Sequence, residues 1–410
     1  MTLYTTFSIL IVLSALFAYI NHRYIKLPSA IGLMLIALIA SLALVTIGGF
    51  FPNILKDVSA IIRNFDFSEL LMGSMLSFML FAGAIHIKIE ELKKEKLAVI
   101  IFSTFSVVLS TFIIGAVMYW LLGLFSMQVN FIYCLLFGSL ISPTDPIAVL
   151  GILKEANIPK SLEMKIAGES LFNDGVAVVV FLTILQVAEH PAEFEWGNVA
   201  VLFIREAFGG IILGLLVGYI GFRLMRSIDN YKVEVLITIA VVMGGYALAD
   251  ALHISGPLAM VAAGIIIGNK GKKLAMSEVT TEYLSKFWEL IDETLNAILF
   301  VLMGLELLVI HFVSSYILIG IIAIVVVLLT RYISVLIPSQ LIKLKEHITH
   351  RTVIILTWGG LRGGISIALA LSLKPEMGKD LWVALTYFVV AFSILVQGLT
   401  IGKLARKMQV

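Results

Sequence analysis

The chain has 410 residues, of which 60% are hydrophobic and only 14% charged, and a formal net charge of +2. That balance, with a mean hydropathy of +1.05, lies far outside soluble globular usage and defines a polytopic membrane protein. The single cysteine, Cys134, excludes an internal disulfide and a Cys-rich metal centre.

At about 20 residues per crossing, the apolar runs predict thirteen helices. They lie near residues 4–20, 28–47, 68–87, 97–123, 129–153, 164–187, 198–222, 234–252, 256–269, 283–311, 315–341, 352–373 and 381–402. The first run has no basic segment before it, and Asn21-His22-Arg23 follows without a small-residue cleavage site, so it reads as a span and not as a cleaved signal. The ninth is short, and the tenth opens with the amphipathic piece TEYLSKFWELIDETL. Odd-numbered connections and the C-terminus hold 21 Lys and Arg residues against four in the even-numbered ones. This asymmetry puts the odd loops and the C-terminus in the cytoplasm and the N-terminus outside. Basic loops of this kind are topology signals, so no nucleic-acid partner is expected. No soluble domain of useful size remains, so the protein acts in or across the bilayer.

Two predicted spans are broken. In the fifth, GSLISPTDPIAVLG, Pro143 and Pro146 each remove a backbone donor and clash with the preceding turn. In the twelfth, TWGGLRGGISIALA, four glycines surround Arg362 and free the backbone to unwind. Such a break is tolerated at membrane depth only where it is buried in protein or lines a wet cavity. The breaks lie seven spans apart, so their segments enter the membrane from opposite sides, as in an inverted-topology repeat. The expected division is a first repeat over 1–187 (helices 1–6), a connecting helix over 188–233 and a second repeat over 234–410 (helices 8–13).

The sixth span carries GESLFNDGVAVVVF, with Glu169, Asn173 and Asp174 in an otherwise apolar helix. Counted inward at 1.5 Å per residue, Asp145, Asp174, Arg331 and Arg362 each lie roughly 12–15 Å deep, near the middle of a core roughly 30 Å thick. Ser170 and Asp174 share one helical face, and Glu169 and Asn173 share the adjoining one. A buried carboxylate beside an arginine stays ionised, whereas a lone one takes up a proton. Arg362 is assigned to Glu169, because an arginine next to an ion-binding acid would compete with the cation. Asp145 and Asp174, with Thr144, Ser170 and the carbonyls freed by the break, then form an all-oxygen site suited to a hard cation. Asn173 and Arg331 complete the set as organising residues.

Other features have plainer readings. Gly210, Gly214 and Gly218 form a GxxxGxxxG packing face. His86 and His253 read as surface or capping residues near helix ends. Asp292 and Glu293 either border a cytoplasmic funnel or form the solvated face of the amphipathic segment, and the second reading is favoured. Glu306 is divided evenly between a gate and an interfacial position. Arg205 and Glu206 receive no role.

SPTDPIAVLGIL, GESLFNDGVAVVVF, HISGPLAMVAAGIIIGN, LFVLMGLEL and TWGGLRGGISIALALSL, in this order and spacing, resemble the prokaryotic sodium/proton antiporters of the monovalent cation:proton antiporter one family, related to animal sodium/proton exchangers. The resemblance implies thirteen spans, inverted six-helix repeats, crossed broken helices and a homodimer in the cell membrane. It implies exchange of cytoplasmic Na+ or Li+ for external H+, in the service of pH and sodium homeostasis, with no cofactor beyond the transported ions. Thr144 and Asp145 match the family's TD pair, Glu169 and Ser170 its ES pair, Asn173 and Asp174 its ND pair, and Arg362 the arginine paired with the ES glutamate. Ala82 stands where many relatives carry an acid, which implies one carboxylate fewer around the cation. The chain ends soon after Lys407, without the long tail of the animal exchangers. A K+/H+ antiporter of the same architecture is the nearest rival, and an intramembrane aspartyl protease or a cation channel are more remote ones. A protease dyad has no use for an arginine at its own depth. Asn-Asp in place of Asp-Asp implies one-for-one, electroneutral exchange.

Overall fold

The computed structural model describes residues 3–50, 71–145, 147–156, 158–190, 196–308, 314–342 and 348–408. Pro146 of the first break, and Lys56, Arg63, Lys343 and Lys345 among the loop charges counted above, lie outside them. Among the described residues the chain is almost wholly helical, and its extended pairing is a single isolated bridge.

In chain order the helices are α1 Leu3–Ile20, α2 Ser29–Phe50, α3 Leu76–Ile85, α4 Ile89–Lys94, α5 Lys96–Ser103, α6 Phe105–Leu124, α7 Phe131–Ile141 and α8 Ile147–Glu155. Then follow α9 Lys160–Glu189, α10 Trp196–Met225, α11 Tyr231–Ala251, α12 Gly256–Ile266, α13 Lys272–Leu274 and α14 Glu278–Glu306. The last are α15 Ser314–Ile342, α16 His350–Trp358, α17 Gly364–Leu371, α18 Lys379–Phe392 and α19 Gly398–Met408. Polar side chains set several of the starts. Asn130, Asn230, Ser255, Ser277 and Thr349 each accept a hydrogen bond from a first-turn N–H of the helix they precede.

Eight helical stretches among the described residues are long and apolar enough to cross a bilayer: 7–25, 29–47, 96–124, 160–189, 199–225, 231–251, 315–340 and 379–408. They coincide with eight predicted spans. The other five predictions fall on helices that are short (α3, α12), broken (α7–α8, α16–α17) or studded with charge (α14). α3, α7, α12 and α17 are apolar but shorter than a crossing, and α14 is long but charged.

The small-residue face of α10 packs as its spacing predicts. A Cβ at Gly210 would run into the Ser255 carbonyl, one at Gly214 into the Ala259 carbonyl, and one at Gly218 would lie 2.8 Å from Ala263 Cα. The partner positions are also four apart, so two stripes of small residues bring α10 and α12 into backbone contact. α12 turns its other side to α3, where Gly268 abuts the Ile85 carbonyl. The Asn269 side chain locks that end, donating to Ile87 O at 2.8 Å and accepting from Ile89 N at 2.8 Å. Lys272 Nζ reaches Ile85 O at 3.4 Å, and burial holds its pKa below the usual lysine range. Because backbone cannot yield as a side-chain tip can, Gly214→Val should separate α10 from α12 and cost upwards of about 3 kcal/mol, through overpacking and lost contacts. Thermal unfolding in detergent beside Gly244→Val, where a Cβ meets nothing within 4 Å, measures the difference.

Candidate functional site

The site begins where two helices stop. α7 ends at Ile141 and α16 at Trp358, and their continuations restart at Ile147 and Gly364. The segments between them cross, and Asp145 N–H donates to Leu361 O at 2.8 Å in an antiparallel bridge. Arg362 fastens the crossing. Its N–H donates to Ser393 Oγ at 2.9 Å, and its Nη1 donates to Pro143 O at 3.2 Å and Gly360 O at 3.3 Å. A carbonyl released by the first break is therefore met by a guanidinium, which meets its need for a donor.

α9 packs against the first break. Thr144 Oγ1 lies 3.1 Å from Ser170 Oγ and accepts from Asn173 Nδ2 at 2.8 Å, while Thr144 N–H donates to Asn173 Oδ1 at 3.4 Å. All three side chains are buried. Asp145 and Asp174 each directly follow a member of this contact, so the break and α9 are in register at their acids.

Glu169 was assigned to Arg362, and here the structure differs. Its Oε1 lies 2.6 Å from Arg331 Nη1, with both side chains at most 5% exposed. Arg331, from α15, also donates through Nη2 to Leu356 O at 3.3 Å. The physical reason is room and occupancy. A Cβ at Gly360 would lie 2.7 Å from Arg331 Nε, so the glycine opens Arg331's path, while Arg362 is engaged with carbonyls of the crossing. Arg362 remains within electrostatic range of both Glu169 and Arg331.

Asp174, 8% exposed, lines a cavity of about 590 Å³. Glu163, Glu289, Asp292 and Glu293 line it too, with no lysine or arginine among the described lining residues. A cavity walled by one sign of charge concentrates cations. Asp292 and Glu293 thus border this cavity, where the sequence favoured a solvated outer face. His86, exposed as expected, lies on its lining as well. Asp145 sits at the crossing, half-buried, with Gly363 against its carboxylate.

A second cavity, about 210 Å³, is lined by Val178 and Leu182 of α9 together with Glu206, Tyr246, Asp250 and His253. Val178 is one turn from Asp174, roughly 6 Å along the axis. Between the cavities Gly175 backs onto Leu258, whose Cδ2 is 2.6 Å from where a Cβ would sit. Tyr246 closes the flank by donating its hydroxyl to Met72 O. Glu206 and His253 therefore line a cavity that the sequence did not anticipate. The lining comes from several elements far apart in sequence, which gave no signal of it. Arg205 is tied to Leu252 O at 3.2 Å. Glu306 is buried, within electrostatic range of Lys379 and Tyr387, and so is not interfacial.

An apolar helical bundle with one carboxylate at a helix break, a second, buried, on the helix packed against it, and a cavity on that helix to either side of the second, is built as an ion-translocating membrane protein. The chain belongs to the sodium/hydrogen exchanger family: the family described as "Sodium/hydrogen exchanger, transmembrane" matches residues 12–407. It is 49% identical over 405 residues to the Na(+)/H(+) antiporter NhaP of Pseudomonas aeruginosa, covering 97% of this chain and 95% of that one. It is 33% identical over 391 residues to the Na(+)/H(+) antiporter NhaH of Halobacillus aidingensis, covering 94% and 93%. In fold it is similar to the sodium proton antiporter MjNhaP1 from Methanocaldococcus jannaschii, with a TM-score of 0.79 at 20% identity over 100% of this chain and 99% of that one.

Proposed function

We propose that this protein is a Na+/H+ antiporter of the cell membrane, exchanging cytoplasmic Na+ or Li+ for external H+. The observation that carries the reading is Asp174, a buried carboxylate lining a cavity whose charged walls are all acidic. Such a group holds a cation or a proton, and the two compete for it. The relatives that share the whole chain, each named a Na(+)/H(+) antiporter, support sodium as the cation.

In this reading Asp174 and Asp145, with Thr144 and Ser170, bind Na+ and H+ in turn, while Asn173, Glu169, Arg331 and Arg362 hold them in place. The 590 Å³ cavity faces the cytoplasm and the 210 Å³ cavity the outside. That orientation follows from the basic odd-numbered loops, with the N-terminus outside and the C-terminus cytoplasmic. The halves 1–187 and 234–410, joined by 188–233, move relative to each other to expose Asp174 alternately, in a homodimer embedded in lipid. The antiparallel crossing at Asp145 and Leu361 supports the inverted relation of the halves.

Asn173 supplies a fixed dipole and no titratable proton, so one negative site carries either one cation or one proton per half-cycle. Exchange should be one for one, and apparent Na+ affinity should weaken as pH falls, because protons then occupy the carboxylate. Proteoliposomes challenged with Na+, Li+ and K+ under an imposed potassium/valinomycin potential test both points. Proton flux should follow Na+ and Li+ at a rate indifferent to voltage. A rate that changes with the sign of the potential rejects the one-for-one scheme, and flux driven by K+ alone rejects sodium as substrate.

A further inference from the structure

The wall of the larger cavity comes partly from α3, whose lining residues Leu76, Met79, Leu80, Ala82 and Gly83 include no carboxylate. α14 lines the same cavity with Glu289, Asp292 and Glu293, spaced three and four apart on one helical face. They are not equivalent. Glu289 and Glu293 are exposed, whereas Asp292 is half-buried. Asp292 is also the one in contact with its own supporting group. Asn296, one turn deeper, donates through its Nδ2 to Asp292 O at 2.8 Å. Asn296 is buried, and its Oδ1 has no hydrogen-bond partner among the described residues. Asp292 is within electrostatic range of Asp145 at the crossing and lines the same cavity as Asp174.

We propose that Asp292 is the affinity-determining carboxylate of the inner approach, a positioning residue that holds the arriving cation over Asp174 in place of the carboxylate that α3 lacks. The proposal rests on the exchange reading above. The cation is drawn by the negative walls, shares its charge with Asp292, and completes its shell at Asp174 and the Thr144–Ser170 oxygens. Asp292 need not be part of the proton-carrying step, so its removal weakens capture more than it slows turnover.

The test is Na+-driven proton flux in proteoliposomes at fixed pH. Asp292→Asn should raise KM for Na+ by about tenfold, the scale of one unit charge acting across a protein-walled cavity, with maximal rate held within about twofold. Asp292→Glu should stay near wild type, and Glu282→Gln, on the exposed Lys286 pair of the same helix, should change neither parameter. The distinguishing variant is Ala82→Asp added to Asp292→Asn: a carboxylate returned from α3 should recover most of the lost affinity, which a merely structural role of Asp292 would not allow. An unchanged KM in Asp292→Asn, or a fall in maximal rate at unchanged KM, overturns the proposal. Wild-type protein that moves no protons on addition of Na+ rejects both this and the exchange reading, whereas wild-type exchange with an unaltered variant rejects this alone.

Discussion

Asp174→Asn should leave a folded, membrane-inserted protein whose Na+-driven proton flux is indistinguishable from protein-free vesicles. The amide keeps the size and polarity of the side chain and removes the one property that exchange requires, the ability to alternate between proton and cation. Stability should not suffer. Asp174 is buried beside a cavity lined by four further acids, and neutralising a carboxylate there relieves repulsion and desolvation cost. The melting temperature should therefore equal or exceed that of the wild type. A ligand that binds only the folded state raises its melting temperature, so Na+ should stabilise wild-type protein and fail to stabilise the variant. Retained flux in Asp174→Asn would remove the residue from the mechanism.

The second large effect concerns Glu169 and Arg331. Breaking a buried ion pair by deleting one partner costs on the order of 3–5 kcal/mol, because the survivor is left charged in a poor solvent. The two deletions should differ. Glu169→Ala strands Arg331 and Arg362 together, two cations within range of each other. Arg331→Ala leaves Glu169 with Arg362 as a substitute partner. Glu169→Ala should therefore lower the melting temperature further than Arg331→Ala does. The double variant should fall short of the sum of the single losses, since the pair is removed once. Additive losses, or Arg362→Ala proving the more coupled partner of Glu169, would show that the carboxylate's main attachment lies elsewhere.

What the sequence disclosed and what it hid have separate physical causes. Interrupting a helix takes proline or glycine, so the breaks at Pro143 and around Arg362 were visible as composition. Close helix packing takes a stripe of small residues, so Gly210, Gly214 and Gly218 were visible as spacing. The basic loops were visible as charge. The pairing of Glu169 was not, because two arginines lie at one depth and depth says nothing of azimuth around the bundle. Only Gly360, read as a conformational hinge, carried the missing information, since it also vacates the volume that Arg331 crosses. For Asp292 the sequence offered a funnel border beside the favoured solvated face and could not separate them for a related reason: an amphipathic helix shows that one face meets water, and bulk solvent and an internal cavity leave the same pattern. The cavity beside Glu206 and His253 is assembled from several separate elements, and nothing local to any of them announces it.

The crossing also changes how inactive variants are to be understood. Any side chain at Gly363 would occupy the place of the Asp145 carboxylate, and Asp145 is simultaneously tethered by its N–H to Leu361. The Asp145 Cβ lies 2.7 Å from that position as well, so a change of rotamer alone does not make room. A methyl group at 363 would abolish transport as thoroughly as loss of the acid itself, though position 363 never touches an ion. Around this crossing, a map of inactivating substitutions would outline the mould in which the acid is cast as well as the acid.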